Sequence, residues 1–139
     1  MSSTPEAAVK RTVRTMLAPH YSQQPTTGGY GRSGQLDFTC CVCGLYLAIE
    51  VKSTHSKYGA KGPTALQWLE IDAVRAGGGI AASVDETNLV DLHEILTALV
   101  AGDIPKAHRA SWKTTHRHER KLTTPETDTQ PVVRKRNTK

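Results

Sequence analysis

Apolar and polar positions repeat with two different periods along this chain, and the switches between them mark its elements. Behind Thr4-Pro5, an N-cap followed by proline at the first helical position, Val9, Val13, Met16 and Leu17 recur at helical spacing and predict a helix from about 5 to 18. Residues 19–34, with Pro19, Pro25, four glycines and small polar residues, read as a loop. The period then drops to two. Leu36, Phe38, Cys40 and Val42 alternate with Gln35, Asp37, Thr39 and Cys41; Leu45, Leu47, Ile49 and Val51 alternate with Tyr46, Ala48, Glu50 and Lys52. A second helix is predicted from Pro63 with Leu66, Leu69, Ala73 and Val74 inward, stopped by Gly77-Gly78-Gly79. Ile80 to Val84 reads as a short apolar strand. Leu89, Leu92, Ile95, Leu96, Leu99 and Val100 then mark a third helix from Asn88, ended by Gly102 and Pro105. The predicted class is α/β, a small mixed β-sheet flanked by helices in the order α-β-β-α-β-α.

The two alternating runs fold back on each other if Cys43-Gly44 form a two-residue turn, with glycine supplying positive φ. Val42 then lies opposite Leu45, and counting back sets Asp37 opposite Glu50. A slip of one residue would mix the faces and expose the apolar row, so this register is favoured. Lys52 points the same way as Glu50. One face of the hairpin therefore carries two carboxylates and an ammonium side by side.

Charge divides the chain. Residues 1–103 carry 8 Lys+Arg against 10 Asp+Glu, and residues 104–139 carry 10 against 3. The two parts predict a folded domain over 1–103 and a basic, largely disordered tail over 104–139, mobile at least beyond about 122. Such a tail suits a polyanion or serves as a solubilising arm. The chain has room for one domain with a real core. No apolar run approaches the roughly 20 residues of a membrane span, and the N-terminus carries no long apolar segment. Cys40, Cys41 and Cys43, the only cysteines, are too few and too crowded for a disulfide framework. These features predict an intracellular protein with no membrane partner.

Two opposed carboxylates repel unless positive charge lies between them. A divalent cation is one answer. Mg²⁺ takes hard oxygen ligands, needs one or two carboxylates, and keeps waters that phosphate oxygens replace; bound so, it lowers the pKa of a water and stabilises charge on a phosphodiester under attack. Lys52 would then orient that water or neutralise developing charge. A surface salt bridge among Asp37, Glu50 and Lys52, worth under about 1 kcal/mol, is the other answer. Glu6 falls on the inward stripe of the first helix, where it either joins the site or pairs with Lys10 four residues on. Gln67, one turn into the second helix, either reaches the site or stays exposed.

Asp37, then Glu50-Val51-Lys52 closing a strand, then Gln67 in the next helix and a glycine-rich stop before "GIAASV" together resemble the PD-(D/E)XK nuclease superfamily, and within it the small, often phage-encoded VRR-NUC nucleases related to Holliday-junction resolvases. The likeness covers roughly residues 5 to 100. It implies a restriction-endonuclease-like core and Mg²⁺- or Mn²⁺-dependent cleavage of DNA phosphodiesters. Asp37 and Glu50 match the family's metal ligands, helped by the backbone carbonyl of Val51; Lys52 matches its catalytic lysine, Gln67 the glutamine of the following helix, and Glu6 the helix-1 acid that some members use as a further ligand. The usual proline before the first Asp is Leu36 here. Resolvase-like relatives act as dimers because a four-way junction needs two symmetric cuts, so the resemblance also implies a homodimer, and a cytoplasmic location, that of the host if the chain is phage-encoded.

Other motifs add less. "GYGRSG", residues 29–34, has the spacing of a dinucleotide loop but lies between a loop and a strand, which leaves Arg32 as a phosphate contact or the stretch as a connector. "CCVCG" offers three cysteines at one turn, short of a structural zinc site. "HRHER", 116–120, is a phosphate-contacting or solvated face. The loop at 53–64 carries His55, Lys57, Tyr58 and Lys61; Lys57 and Lys61 are placed to neutralise phosphates at the rim. Nothing resembles a base-reading module, which predicts recognition of nucleic-acid shape over sequence. The reading is a metal-dependent endonuclease hydrolysing DNA phosphodiester bonds, with branched, single-stranded and duplex DNA all open as substrates and structure selectivity for branched DNA one option. Its alternatives are a non-catalytic DNA-binding or assembly protein with the same fold, and a sequence-specific restriction-type nuclease.

Overall fold

The computed structural model describes residues 4–25, 34–57 and 59–122, with backbone alone for 117 and 119–122. Its elements are α1 (Pro5–Leu17), β1 (Tyr21–Gln23), β2 (Phe38–Val42), β3 (Leu45–Val51), a 3-10 turn (Gly59–Lys61), α2 (Ala65–Ala76), β4 (Ile80–Val84), α3 (Leu89–Ala101) and α4 (Ile104–Leu122). They form an α/β fold around one four-stranded mixed sheet of order β1-β2-β3-β4. The first three strands are antiparallel and β4 runs parallel to β3, with α2 as the crossover that a parallel pair requires. Strand β1 lies where the sequence reads only loop. Three residues on a sheet edge are too few to show alternation.

The hairpin has the predicted register, Val42 facing Leu45 through to Phe38 facing Ile49. Cys43 and Gly44 both have positive φ, 51° and 86°, as a two-residue turn of matching twist demands. One face of the sheet builds the main core, in which Phe38, Cys40, Val42, Leu47, Ile49 and Val51 meet Val9, Val13 and Leu17 of α1 and Leu92, Ile95 and Leu99 of α3. The opposite face is covered by α2, where Ala48 and Ala81 pack on Trp68 and Ile71.

Three expectations need correction. Leu36 joins the α2 cluster, not the main core, because residues 34–37 precede β2 and no longer follow its alternation. In α2 the buried residues are Trp68 and Ile71, while Leu66 and Leu69 are 51% and 65% exposed. The helix phase is set at its start: Thr64 and Gln67 form a capping box, each side chain accepting the other's backbone N–H, which turns Gln67 and Trp68 toward the sheet. Third, the folded domain does not end at residue 103. Gly102 closes α3 with φ 79°, and the Asp103 carboxylate then accepts the Lys106 N–H at 3.2 Å. Pro105, which reads as a stop, therefore sits in the first turn of α4, a position proline favours.

α4 completes the sheet by covering β4, whose outer edge would otherwise leave backbone groups unpaired. Ser83 N–H donates to Thr114 Oγ1 at 3.0 Å, Asn88 Nδ2 donates to the Ser83 carbonyl at 3.1 Å, and Arg75 Nη2 donates to the Ala81 carbonyl at 3.0 Å. Ala107 and Ala110 enter the main core. The inward stripe of α4 is otherwise Ser111, Thr114, Thr115 and His118, small or hydroxylated residues with no aliphatic signature. Among the described residues no helix is long and apolar enough to cross a membrane.

Candidate functional site

The strand alternation that points Ile49 and Val51 into the main core points Glu50 to the other face, under the N-terminus of α2. Glu50 is buried to 3% exposure. Its Oε2 accepts a hydrogen bond from Gln67 Nε2 at 2.9 Å and lies 3.4 Å from Lys52 Nζ, while its Oε1 is buried with no hydrogen-bond partner. Gln67 is held at its other end, where Oε1 accepts the Thr64 N–H at 2.9 Å. The capping box of α2 thus fixes the rotamer of the glutamine that fixes Glu50.

Asp37 closes the site from the strand opposite. Its Oδ2 accepts the Val51 N–H at 2.8 Å, which ties the end of β3 to the residue before β2. It also stands near enough to Glu50 for its charge to act on it. Burial first, and the Asp37 charge second, push the Glu50 carboxyl up to about 8 from its ordinary 4.5, against the opposing pull of Lys52.

Lys10, which the sequence pairs only with Glu6, does more. Its Nζ lies 3.3 Å from Asp37 Oδ1 and 3.5 Å from Glu6 Oε2. Burial works against the Lys10 charge, yet Asp37 and Glu6 outweigh it, so its pKa is raised. Glu6 therefore approaches the site through Lys10, and both line an open cleft of about 330 Å³ with Thr4, Ala7 and Ser56. Lys10's i+4 spacing to Glu6 was visible in the sequence; its reach to Asp37 depends on how α1 crosses the sheet.

The segment after Lys52 is anchored by a group the sequence reading left out. Glu86 accepts hydrogen bonds from Ser53 Oγ (3.0 Å), Thr54 N–H (3.1 Å) and Thr54 Oγ1 (2.9 Å), and pairs with His55 at 3.2 Å. Partial burial opposes its charge, but its own backbone N–H, the Thr54 N–H and the Thr54 and Ser53 hydroxyls prevail and hold it well below the usual range, at about 2. Lys57 and Lys61 are exposed on the loop that follows. Arg32, most of "GYGRSG", Tyr58 and the chain beyond 122 lie outside the described residues.

The structure brings Asp37, Glu50, Lys52 and Gln67 together, with Val51 bonded to Asp37 and Glu6 one ion pair away. Among the described residues no three His, Cys, Asp or Glu side chains converge as a ready-made metal cage. The donor set nevertheless suits a hard divalent cation: two neighbouring carboxylates, one oxygen of Glu50 unpartnered in a buried place, and at the end of β3 the backbone carbonyl of Val51. Compared with known proteins, the chain matches no family model, no curated protein and no solved structure.

Proposed function

We propose that the chain is a metal-dependent endonuclease that hydrolyses DNA phosphodiester bonds, as its resemblance to PD-(D/E)XK nucleases implies. One observation supports this above the others. Glu50 is a buried acid with an unpartnered oxygen, pressed against a second acid, and held in that position by Gln67 and Lys52. A purely structural residue at this place would be more stable as an apolar one. Functional sites retain such costs.

Asp37, Glu50 and the Val51 carbonyl would hold Mg²⁺ or Mn²⁺, with Glu6 as a further donor once Lys10 is displaced. When bound, the cation supplies a water of lowered pKa and charge stabilisation on the phosphodiester. The chain's own residues do the rest. Gln67 orients Glu50; Lys52, tethered to Glu50, offers positive charge against the negative charge that grows on the phosphate. Lys57 and Lys61 neutralise flanking phosphates, a part the sequence also gives to Arg32. Two-fold assembly would pair two sites across a branched substrate.

The test is cleavage of a synthetic four-way junction, its linear arms and single strands, with Mg²⁺ or Mn²⁺. Lys52→Met and Glu50→Gln should each lower the rate by at least about 10²-fold while leaving far-UV circular dichroism unchanged. Undiminished cutting by both variants would remove this site from the reaction. A non-catalytic DNA-binding role has its own observation: Lys10 already neutralises Asp37 and Glu6 without a metal. Salt-sensitive binding with no cleavage in any metal would favour that role.

A further inference from the structure

The outer side of α4 is basic and carries an aromatic ring that the fold does not use. Lys106, Arg109, Trp112, Lys113 and His116 are all exposed, and no acidic residue occurs from Ile104 to His118. Trp112 is 56% exposed. A tryptophan left so far in water is unusual unless something covers it. It lines an open cleft of about 510 Å³ with Arg75, Lys113 and His116.

The ring is held in place. His108 meets it edge-on with centroids 6.5 Å apart and planes at 63°, and the Arg75 guanidinium carbon lies 5.9 Å from its centroid. Arg75 is itself fixed to the Ala81 carbonyl at 3.0 Å and Thr115 Oγ1 at 3.2 Å. Lys113 is steadied by Asp91 and Glu94, 3.1 and 3.8 Å away. Six residues further along α4, about 9 Å at helical rise, His118 packs on Gly62 in the loop between Lys52 and α2. The cleft and the candidate active site are therefore linked by one helix and one loop.

We infer that this cleft is a second nucleic-acid contact, in which a base of an unpaired strand stacks on Trp112 while adjacent phosphates meet Lys113, His116 and Arg109. The inference rests on the endonuclease reading for the class of polymer, and it adds where an unpaired arm of that polymer lies. An exposed ring among cations fits a nucleotide better than an acidic peptide, because a base supplies a flat partner for the ring and a peptide carboxylate supplies charge alone.

The test omits metal, so cleavage does not enter. A fluorescein-labelled twelve-residue oligothymidylate is titrated with the full chain in EDTA and followed by anisotropy. Trp112→Ala should weaken binding about 5- to 100-fold, the range that loss of one stacked base gives, and Trp112→Phe should stay within about 3-fold of the unaltered chain. An abasic oligomer of equal length should bind the unaltered chain as weakly as oligothymidylate binds Trp112→Ala. Equal affinity for the abasic and thymidine oligomers would overturn the proposal even if Trp112→Ala failed to fold. Displacement by polyglutamate at equal charge concentration would overturn it in favour of an acidic peptide. Absence of cleavage in every metal would end the endonuclease reading and leave these binding curves standing.

Discussion

Glu50 lies under α2 because β3 alternates, and its burial there carries an electrostatic cost. Its carboxyl is raised from 4.5 to about 8, chiefly by burial. A group raised in the folded state supports that state fully below its unfolded pKa, and the support is lost as pH climbs through the folded value. Without metal, Glu50→Gln should therefore raise stability at pH 8 by on the order of 2 kcal/mol, with no gain at pH 4. Urea titrations of both proteins at the two pH values check this; equal midpoints at pH 8 would contradict it. Lys10 belongs to the same balance. Lys10→Gln leaves Asp37 and Glu6 uncompensated, at a cost of about 1 kcal/mol to the metal-free protein. Added Mn²⁺ should then raise the melting temperature more in the variant than in the parent, since the cation no longer displaces an ammonium. That Glu50 and Lys52 share a face was legible in the sequence. That Lys10 faces Asp37 was not, because the two residues lie on different elements.

Among the elements, the loop from Lys52 to α2 is the one the site depends on, and it is fixed at both ends. Glu86 gathers Ser53, Thr54 and His55 at one end. Its folded pKa is depressed to about 2, so its contribution is present above the ordinary carboxylate range and lost as pH falls from about 4.5 toward 2. Glu86→Gln should lower stability at pH 7, and the difference from the parent should shrink below about pH 4.5 and close only below about pH 2, as followed by urea unfolding. At the other end Gly62 has φ 83°, and a Cβ there would stand 2.5 Å from His118 Cγ. Gly62→Ala should cost at least about 1–2 kcal/mol and slow cleavage, both strain and overlap acting together; an unchanged melting temperature would show that the loop does not seat on α4. The hairpin was readable because alternation, turn and register agree. The phase of α2 was not, since Leu66 and Leu69 suggest one face and the capping box selects another.

For the whole molecule, α4 decides where the domain ends. It places Ala107 and Ala110 in the main core and pairs the β4 edge through Thr114. A chain stopped after Asp103 would uncover both, and its melting temperature should drop by more than about 10 °C, with aggregation through the bared edge; a cooperative transition at the parent temperature would refute this. The sequence by itself determined the α/β class, α1 with its Thr4 cap, the hairpin register, and the facing of Asp37, Glu50 and Lys52. Each follows from a local period or a turn, which neighbouring residues specify. Only the tertiary structure decided that Glu50 is buried, that Lys10 bridges Asp37 and Glu6, that Glu86 clamps the loop, and that residues 104–122 belong to the fold. Those depend on which helix crosses which face. The stripe that anchors α4 is built from alanine, serine and threonine, whose burial is driven by a waiting strand edge and not by hydropathy of their own.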